Sequence, residues 1–291
     1  MPIDLHAHTT ASDGSFSPRE LVSHAKELGL RAVAITDHDT FSGHEEALAA
    51  GAEMGVEIVP GIELSVQGPL GKFHLLGFYC DFDSRLGEEL RAIQHERLTR
   101  GERVINELRE KHGFQTSVEA VREIAGEGAQ IGRPHIARSI LGQRGLETIQ
   151  QVFDEWLDNP ARLNTSKRVL DPQIAVELIH EAGGVAVWAH PLVSPSERGT
   201  RGDYGQIEPI LQAWRGLDGI EIYYGQYSRE DAEWIAQLAQ KYGLLGTGGS
   251  DFHGITKPDV FLGQVNGGQS VPDSVLDELK ALAHKRNASR G

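Results

Sequence analysis

Short apolar runs that end in polar residues recur along the first third of the chain. Ile3-Asp-Leu-His-Ala-His8 alternates apolar and polar positions, and as a strand it turns both imidazoles to one face. Ser17-Pro-Arg-Glu20 has the form of a capping box with proline at the first helical position; Leu21, Val22, Ala25 and Leu28 continue it as an apolar stripe up to Gly29. Arg31 to Thr36 reads as a buried strand and runs directly into Asp37-His-Asp39. Ser42-Gly-His-Glu45 repeats the capping pattern and predicts a second helix through Ala52. Three further strands are predicted over 56–59, 62–66 and 73–79, the last two joined by a turn at Gly68-Pro-Leu-Gly71. These spacings suit strand-helix-strand units.

The pattern changes near Leu86. Residues 86–112 read as one long charged helix, followed by helical pieces near 117–125, 134–141 and 148–157, with no convincing strand among them. Alternation then resumes. Asp171-Pro172 opens a helix, Val185 to His190 is an apolar strand with a polar end, and a Gly-rich loop covers 199–205. Helix 206–214, strand 219–224, helix 228–242, strand 244–247 and a last amphipathic helix over 273–284 complete the chain. The expected organisation is therefore an α/β barrel formed by 1–85 and 166–291, interrupted by a helical insertion over 86–165.

Composition narrows the function classes. The 28 basic and 42 acidic residues give a formal net charge of −14, which argues against electrostatic binding to long duplex nucleic acid. No apolar run approaches the roughly 20 residues of a membrane span, and no basic-then-apolar leader is seen. The single cysteine, Cys80, rules out an internal disulfide framework and suits a reducing cytoplasm. Nothing points to an obligatory protein partner, and no Walker-type loop or dinucleotide fingerprint occurs, so a nucleotide would be substrate rather than cofactor.

The polar ends of the strands change the picture most. His6, His8, His38, Glu63, His190, Asp251 and His253 all fall at the C-terminal ends of predicted strands, with His74 inside one. In barrels of alternating strand and helix, side chains from different strands meet at that mouth. Imidazoles and carboxylates returning there repeatedly predict a divalent-metal site. Asp37 and Asp39 are expected to cap or to support His38 from behind, and Asp4 to play a similar part. His24, His44, His95, His112, His180 and His284 fall within or beside helices and read as surface or packing residues.

His6-x-His8, Thr36-Asp-His-Asp39, Gly61-Ile-Glu63, His74, Ala189-His-Pro191 and Gly249-Ser-Asp-Phe-His253 together resemble the ordered motif series of the polymerase and histidinol phosphatase (PHP) family. Gly132-Arg-Pro-His-Ile-Ala137 in the insertion resembles its branch of nucleoside 3′,5′-bisphosphate phosphatases and 5′-to-3′ exoribonucleases of short RNA. The resemblance implies a distorted (β/α)7 PHP barrel holding two or three divalent ions, with manganese favoured and zinc, iron or magnesium as alternatives. It implies that His6, His8, Glu63 and Asp251 hold a first ion. Glu63 would bridge to a second, completed by His74 and His190, and Asp13, His38 and His253 would hold a third. Some relatives have histidine where this chain has Asp13, and an oxygen ligand there favours a harder ion.

Three carboxylates against three divalent ions leave a local charge of about +3, suited to a phosphate dianion and a hydroxide. Glu63, Asp251 and His190 are thus expected to be essential to hydrolysis, and a metal-activated hydroxide is the expected nucleophile. Arg133 offers a planar fork that matches phosphate, and His135 a further donor at a helix N-terminus; the alternative for this pair is a surface arginine and a capping histidine. Trp188, Tyr223 and Tyr224 could stack on a base, though two of the three are expected to pack in or around the barrel. The expected substrates are small phosphorylated nucleotides or short oligoribonucleotides. A histidinol-phosphate phosphatase and an amidohydrolase-like C–N hydrolase are the alternatives.

Overall fold

The structure, a computed structural model, describes residues 2–125, 132–163, 168–193 and 204–288. Most of the Gly-rich loop expected at 199–205 falls outside these residues. Two compact units emerge, one comprising Met1–Leu90 with Val169–Gly291, the other Arg91–Arg168.

The first unit is a seven-stranded sheet in the order β1 (Ile3–Asp4), β2 (Ala32–Ile35), β3 (Glu57–Gly68), β4 (Gly71–Phe78), β5 (Val185–Trp188), β6 (Gly219–Tyr224) and β7 (Leu245–Gly249). It curls into a nearly closed barrel. β7 and the backbone beyond it return to the chain after β1, with Leu5 N–H on Gly248 O at 3.2 Å, Asp251 N–H on His6 O at 2.8 Å and His8 N–H on Phe252 O at 2.9 Å. Asp4 fastens the same seam. Its two carboxylate oxygens accept the N–H groups of His6 (3.1 Å), Ser250 (3.0 Å) and Gly263 (2.7 Å).

Two strand features differ from the pattern reading. The runs at 56–59 and 62–66 form one strand, because Pro60-Gly61 is where β3 changes partner. Residues 57–60 pair with β2 in parallel, whereas 61–68 pair with β4 antiparallel. A missing N–H is tolerated at such a switch, and the Pro60 carbonyl still accepts from Tyr79 N at 2.8 Å. β4 runs against both β3 and β5, since the tight connection between Gly68 and Gly71 leaves no room for a crossover helix. That reversal is what distorts the barrel.

Helices α1 (Pro18–Glu27) and α2 (His44–Met54) cover one side, where Leu21, Val22 and Ala47 pack on Val33 and Ile35. α1 starts as expected, with Ser17 Oγ accepting from Glu20 N and the Glu20 carboxylate accepting from Ser17 N. α2 does not. Its N-cap is Gly43 with no side-chain cap, and Ser42 is instead engaged with Thr40. α3 (Arg85–Glu110) follows β4, and α4 (Val118–Ala125), α5 (Arg133–Ile140) and α6 (Ile149–Val152) come next, the last extended by a π-helical turn at Phe153–Leu157. The second unit has its own core, with Ile105, Leu108, Phe114, Val121, Ile140 and Trp156 buried together.

α7 (Pro172–Glu181) is capped by Asp171, and α8 (Tyr204–Ala213) and α9 (Arg229–Tyr242) alternate with β5, β6 and β7. α10 (Asp273–Ala288) places Val275, Leu276 and Leu279 against Ile3, Leu5 and Val187 of the barrel. Among the described residues no helix is long and apolar enough to cross a membrane.

Candidate metal centre

The mouth of the barrel collects the polar strand ends. His6 and His8 follow β1, His38 follows β2, Glu63 lies in β3, His190 follows β5, and Asp251 and His253 follow β7. His74 comes from the first half of β4, which reaches the same end because that strand runs in reverse.

Glu63 is the hub, and its two oxygens face different neighbours. Oε2 lies 3.4 Å from His6 Nε2, 3.1 Å from His8 Nε2 and 3.2 Å from His38 Nδ1. Oε1 lies 2.9 Å from both His74 Nδ1 and His190 Nε2. Asp251 Oδ1 joins the first set, 3.2 Å from His8 Nε2 and 3.5 Å from His6 Nε2. Asp13 forms a third gathering, with His253 Nε2 at 3.3 Å, His8 Nδ1 at 3.5 Å and His38 Nε2 at 3.9 Å. Ligand atoms of His6, His8, Glu63 and Asp251 all fall within 4.8 Å of one another, as do those of His38, Glu63 and His74, and those of His8, Asp13, His38 and His253. His8 and His38 therefore each present one ring nitrogen to one gathering and the other nitrogen to a second.

The surroundings set which ring nitrogen of several imidazoles carries the proton. His253 Nδ1 donates to Asp251 O at 2.8 Å and His190 Nδ1 to Val193 O at 3.4 Å. A carbonyl only accepts, so Nε2 of each ring is left as the lone-pair nitrogen facing a carboxylate. His6 Nδ1 is held by Glu221 Oε1 at 3.0 Å, and Glu221 Oε2 accepts from His190 N at 2.8 Å. A lone pair 2.9 Å from a carboxylate oxygen is repulsive unless a proton or a metal ion lies between them. His6 Nε2, both ring nitrogens of His8, His38 Nδ1 and Glu63 Oε2 are buried without a hydrogen-bond partner. Orphaned polar atoms of this kind are costly. Divalent ions would satisfy all of them at once, and the mixed nitrogen and oxygen donors suit such ions.

Titration behaviour tells the same story. Burial disfavours the charged form of Glu63 and Asp251, yet the facing imidazoles outweigh it and hold both well below the usual carboxylate range. Burial likewise pushes the imidazoles down, but the carboxylates lift His6 well above its ordinary value and His8 to about 9. His38 is the exception, pushed down to about 3 by burial and by like charge from His8 and His74. The raised value favours a protonated His8 near neutral pH, and an ion bound through that ring would displace the proton. Apparent metal affinity is expected to fall by up to about tenfold per pH unit below about 9. Calorimetric titrations at several pH values, in buffers of differing ionisation enthalpy, measure the released proton.

Three of the six non-glycine residues with positive φ among the described residues lie here. Asp251 (φ 60°), Asp39 (φ 53°) and His190 (φ 30°) occupy the left-handed region without being glycine. Such residues cost about 1–3 kcal/mol each and persist where the surroundings over-determine them. The aspartates beside His38 cap no helix, since α2 starts at the uncapped Gly43, and their hydrogen bonds go to neighbouring loops and strands. Asp37 accepts from Thr9 N (2.8 Å) and from the Thr9 and Ser12 hydroxyls (2.7 and 2.6 Å), pinning the loop that carries Asp13. Asp39 accepts from Ser65 N at 2.8 Å, beside Glu63. His44 packs as expected, donating Nε2–H to Gly61 O at 2.7 Å.

Pattern reading missed Glu221. A carboxylate inside Gly219-Ile-Glu-Ile-Tyr-Tyr224 is buried completely, and that single charge in an apolar strand was the available signal. Glu221→Gln is expected to lower metal affinity about 10–100-fold with the fold intact, read by metal titration alongside circular dichroism. Tyr224 is also part of the centre rather than a stacking surface, donating its hydroxyl to Asp251 Oδ2 at 2.7 Å. Trp188 is buried against Phe73 and Trp214, and Tyr223 packs on the barrel core.

Arg133 and His135 belong to the second unit. Arg133 stands at the first position of α5, ion-paired with Asp158 and 5.6 Å from the Phe153 ring centre. His135 caps the same helix, its Nδ1 accepting from Gly132 N at 3.1 Å. That bond leaves Nε2 as the protonated nitrogen and a free donor position.

The sequence pattern of the PHP domain matches residues 4–161. A 5′-3′ exoribonuclease of Haemophilus influenzae is 31% identical over 253 residues, covering 86% of this chain and 89% of that protein. A 3′,5′-nucleoside bisphosphate phosphatase of Chromobacterium violaceum is also 31% identical, over 86% of this chain and 87% of its own. A crystal structure from Bifidobacterium adolescentis, provisionally described as a metal-dependent phosphoesterase, superposes with a TM-score of 0.68 at 30% identity, covering 97% of this chain and 98% of that one.

Proposed function

The chain belongs to the PHP domain family and is a phosphoesterase, and from that premise we propose that it hydrolyses nucleoside 3′,5′-bisphosphates, releasing the 3′-phosphate. The observation that carries this reading is the convergence of His6, His8, Glu63 and Asp251, with orphaned nitrogen and oxygen atoms turned toward one another. In this reading those four residues hold a first divalent ion. Glu63, His74 and His190 would hold a second, and Asp13, His38 and His253 would hold a third. We assign manganese as the working metal, on the oxygen donor at Asp13. Bound ions would supply activation of water and neutralisation of phosphoryl charge.

The chain's own groups do the rest. Glu221 and the Val193 and Asp251 carbonyls hold His6, His190 and His253 by their Nδ1–H groups, so that Nε2 stays available as a ligand. Arg133 and the Nε2–H of His135 are assigned to phosphate recognition, a role that would favour a bisphosphate over a monophosphate. The helical insertion over 86–165 is assigned as the part that carries this recognition segment. The lone thiol, Cys80, is buried and pushed up to about 12, consistent with a structural residue of a cytoplasmic enzyme.

Arg133→Ala is expected to raise KM for a 3′,5′-bisphosphate by about tenfold or more with a smaller change in kcat, and to leave KM for a nucleoside 3′-monophosphate nearly unchanged. A second reading, removal of 5′-terminal nucleotides from short RNA, is favoured by the Haemophilus relative. A manganese-supplemented panel of 3′,5′-bisphosphates, 5′-phosphorylated short RNAs, nucleoside monophosphates and histidinol phosphate tests the choice. The highest kcat/KM is expected on the bisphosphates, and a clear preference for histidinol phosphate would overturn the assignment.

A further inference from the structure

Asp251 has two faces, and only one of them looks into the metal centre. Its Oδ1 is turned to the imidazoles of His6, His8 and His253. Its Oδ2 takes the Tyr224 hydroxyl from the buried side and, at 2.6 Å, the Nζ of Lys257 from the open side. Lys257 is 34% exposed, whereas Tyr224 and the three imidazoles are buried. Among the described residues, Lys257 is the lysine or arginine that contacts a carboxylate of the centre, and Asp251 is its ionic partner there.

We propose that Lys257 is a substrate-binding residue of this phosphoesterase, its ammonium holding a non-bridging phosphoryl oxygen beside Asp251. The inference rests on the metal-centre reading above. An ammonium carries three N–H donors. One is committed to Asp251 Oδ2, and the carboxylate fixes the head group next to the ligand set while the other two donors remain. A phosphoryl group held by an ion on Oδ1 would come within reach of a cation on Oδ2 of the same carboxylate.

Charge balance favours this role over a plain ion pair. A permanent cation beside a carboxylate that binds divalent ions opposes their binding. Its presence there becomes favourable once an anion arrives to share it, and a phosphate dianion supplies that charge.

The backbone under Lys257 is built to hold a position. The turn Gly254–Thr256 is tied to the loop after β1: Ser15 Oγ accepts from Ile255 N at 2.9 Å and donates to His253 O at 3.2 Å. Gly254 has φ +67°, and a Cβ there would meet Ser15 Oγ at 2.0 Å, so the turn closes tightly on this loop. The Lys257 N–H then closes on Gly254 O at 3.1 Å. The lysine thus leaves a fixed point two residues from the Asp13-facing ligand loop's own anchor, rather than a free surface segment.

The test is calorimetry of inorganic phosphate binding to the manganese-loaded protein, comparing wild type with Lys257→Met and checking the fold by thermal unfolding. Phosphate affinity is expected to drop about tenfold or more in Lys257→Met, with manganese affinity unchanged or tighter. KM for the substrate should rise more than kcat falls. Unchanged phosphate affinity would overturn the proposal, and so would weaker manganese binding, which would make the lysine a prop for Asp251 only. Asp251→Asn separates the two levels. Loss of manganese in that variant together with unchanged phosphate affinity in Lys257→Met overturns the lysine's role and leaves the centre standing. Full manganese uptake by Asp251→Asn overturns both.

Discussion

Glu63→Gln is expected to reduce phosphoester hydrolysis by on the order of 10³-fold or more, with the protein still folded. Both Glu63 oxygens are in use, Oε2 toward His6, His8 and His38 and Oε1 toward His74 and His190. An amide keeps the shape, removes the charge and turns one oxygen into a donor aimed at imidazole nitrogens. Metal content should fall with activity, because five imidazoles would face one another with a neutral group between them. Rate measurements under saturating manganese, paired with metal analysis of the variant, read both effects. Retained turnover at reduced metal content would show that hydrolysis does not depend on Glu63 as a shared ligand.

Asp4→Ala is expected to have the largest effect on stability. Asp4 is completely buried and accepts three backbone N–H groups, from His6, Ser250 and Gly263. Burial raises its carboxyl above the ordinary value despite these bonds, so removing the charge recovers part of the loss. Three orphaned donors at the seam still cost about 3 kcal/mol in net. At roughly 2 °C per kcal/mol for a chain of this size, the thermal midpoint should fall by about 6 °C. Differential scanning calorimetry checks this, and a shift under about 1 °C would mean that water replaces the carboxylate at the seam.

Much of the mouth was legible because its chemistry conflicts with its surroundings. Histidines and acids at the ends of apolar strands have no packing reason to be there, so His6, His8, Glu63, His190 and Asp251 stood out. The ends of α1 and α7 were legible because Ser17 and Asp171 satisfy backbone donors locally. What stayed hidden depends on partners distant in sequence. Glu221 looks like a stray charge until β6 sets it between His6 and His190. The single strand through Pro60 cannot be seen without knowing that β2 and β4 take different halves of it. Ser42 has the spacing of a cap, yet Thr40 competes for it and α2 starts at an uncapped glycine. The double duty of His8 and His38 follows from ring orientation, which spacing does not encode.

Whether the orphaned atoms around Glu63 are metal ligands is decided by an anomalous difference map from crystals grown with manganese, recorded at the manganese absorption edge. A peak is expected among His6, His8, Glu63 and Asp251, and a second beside Glu63 Oε1, His74 and His190. A map without a peak at either place, from protein that hydrolyses substrate under the same conditions, would contradict that role.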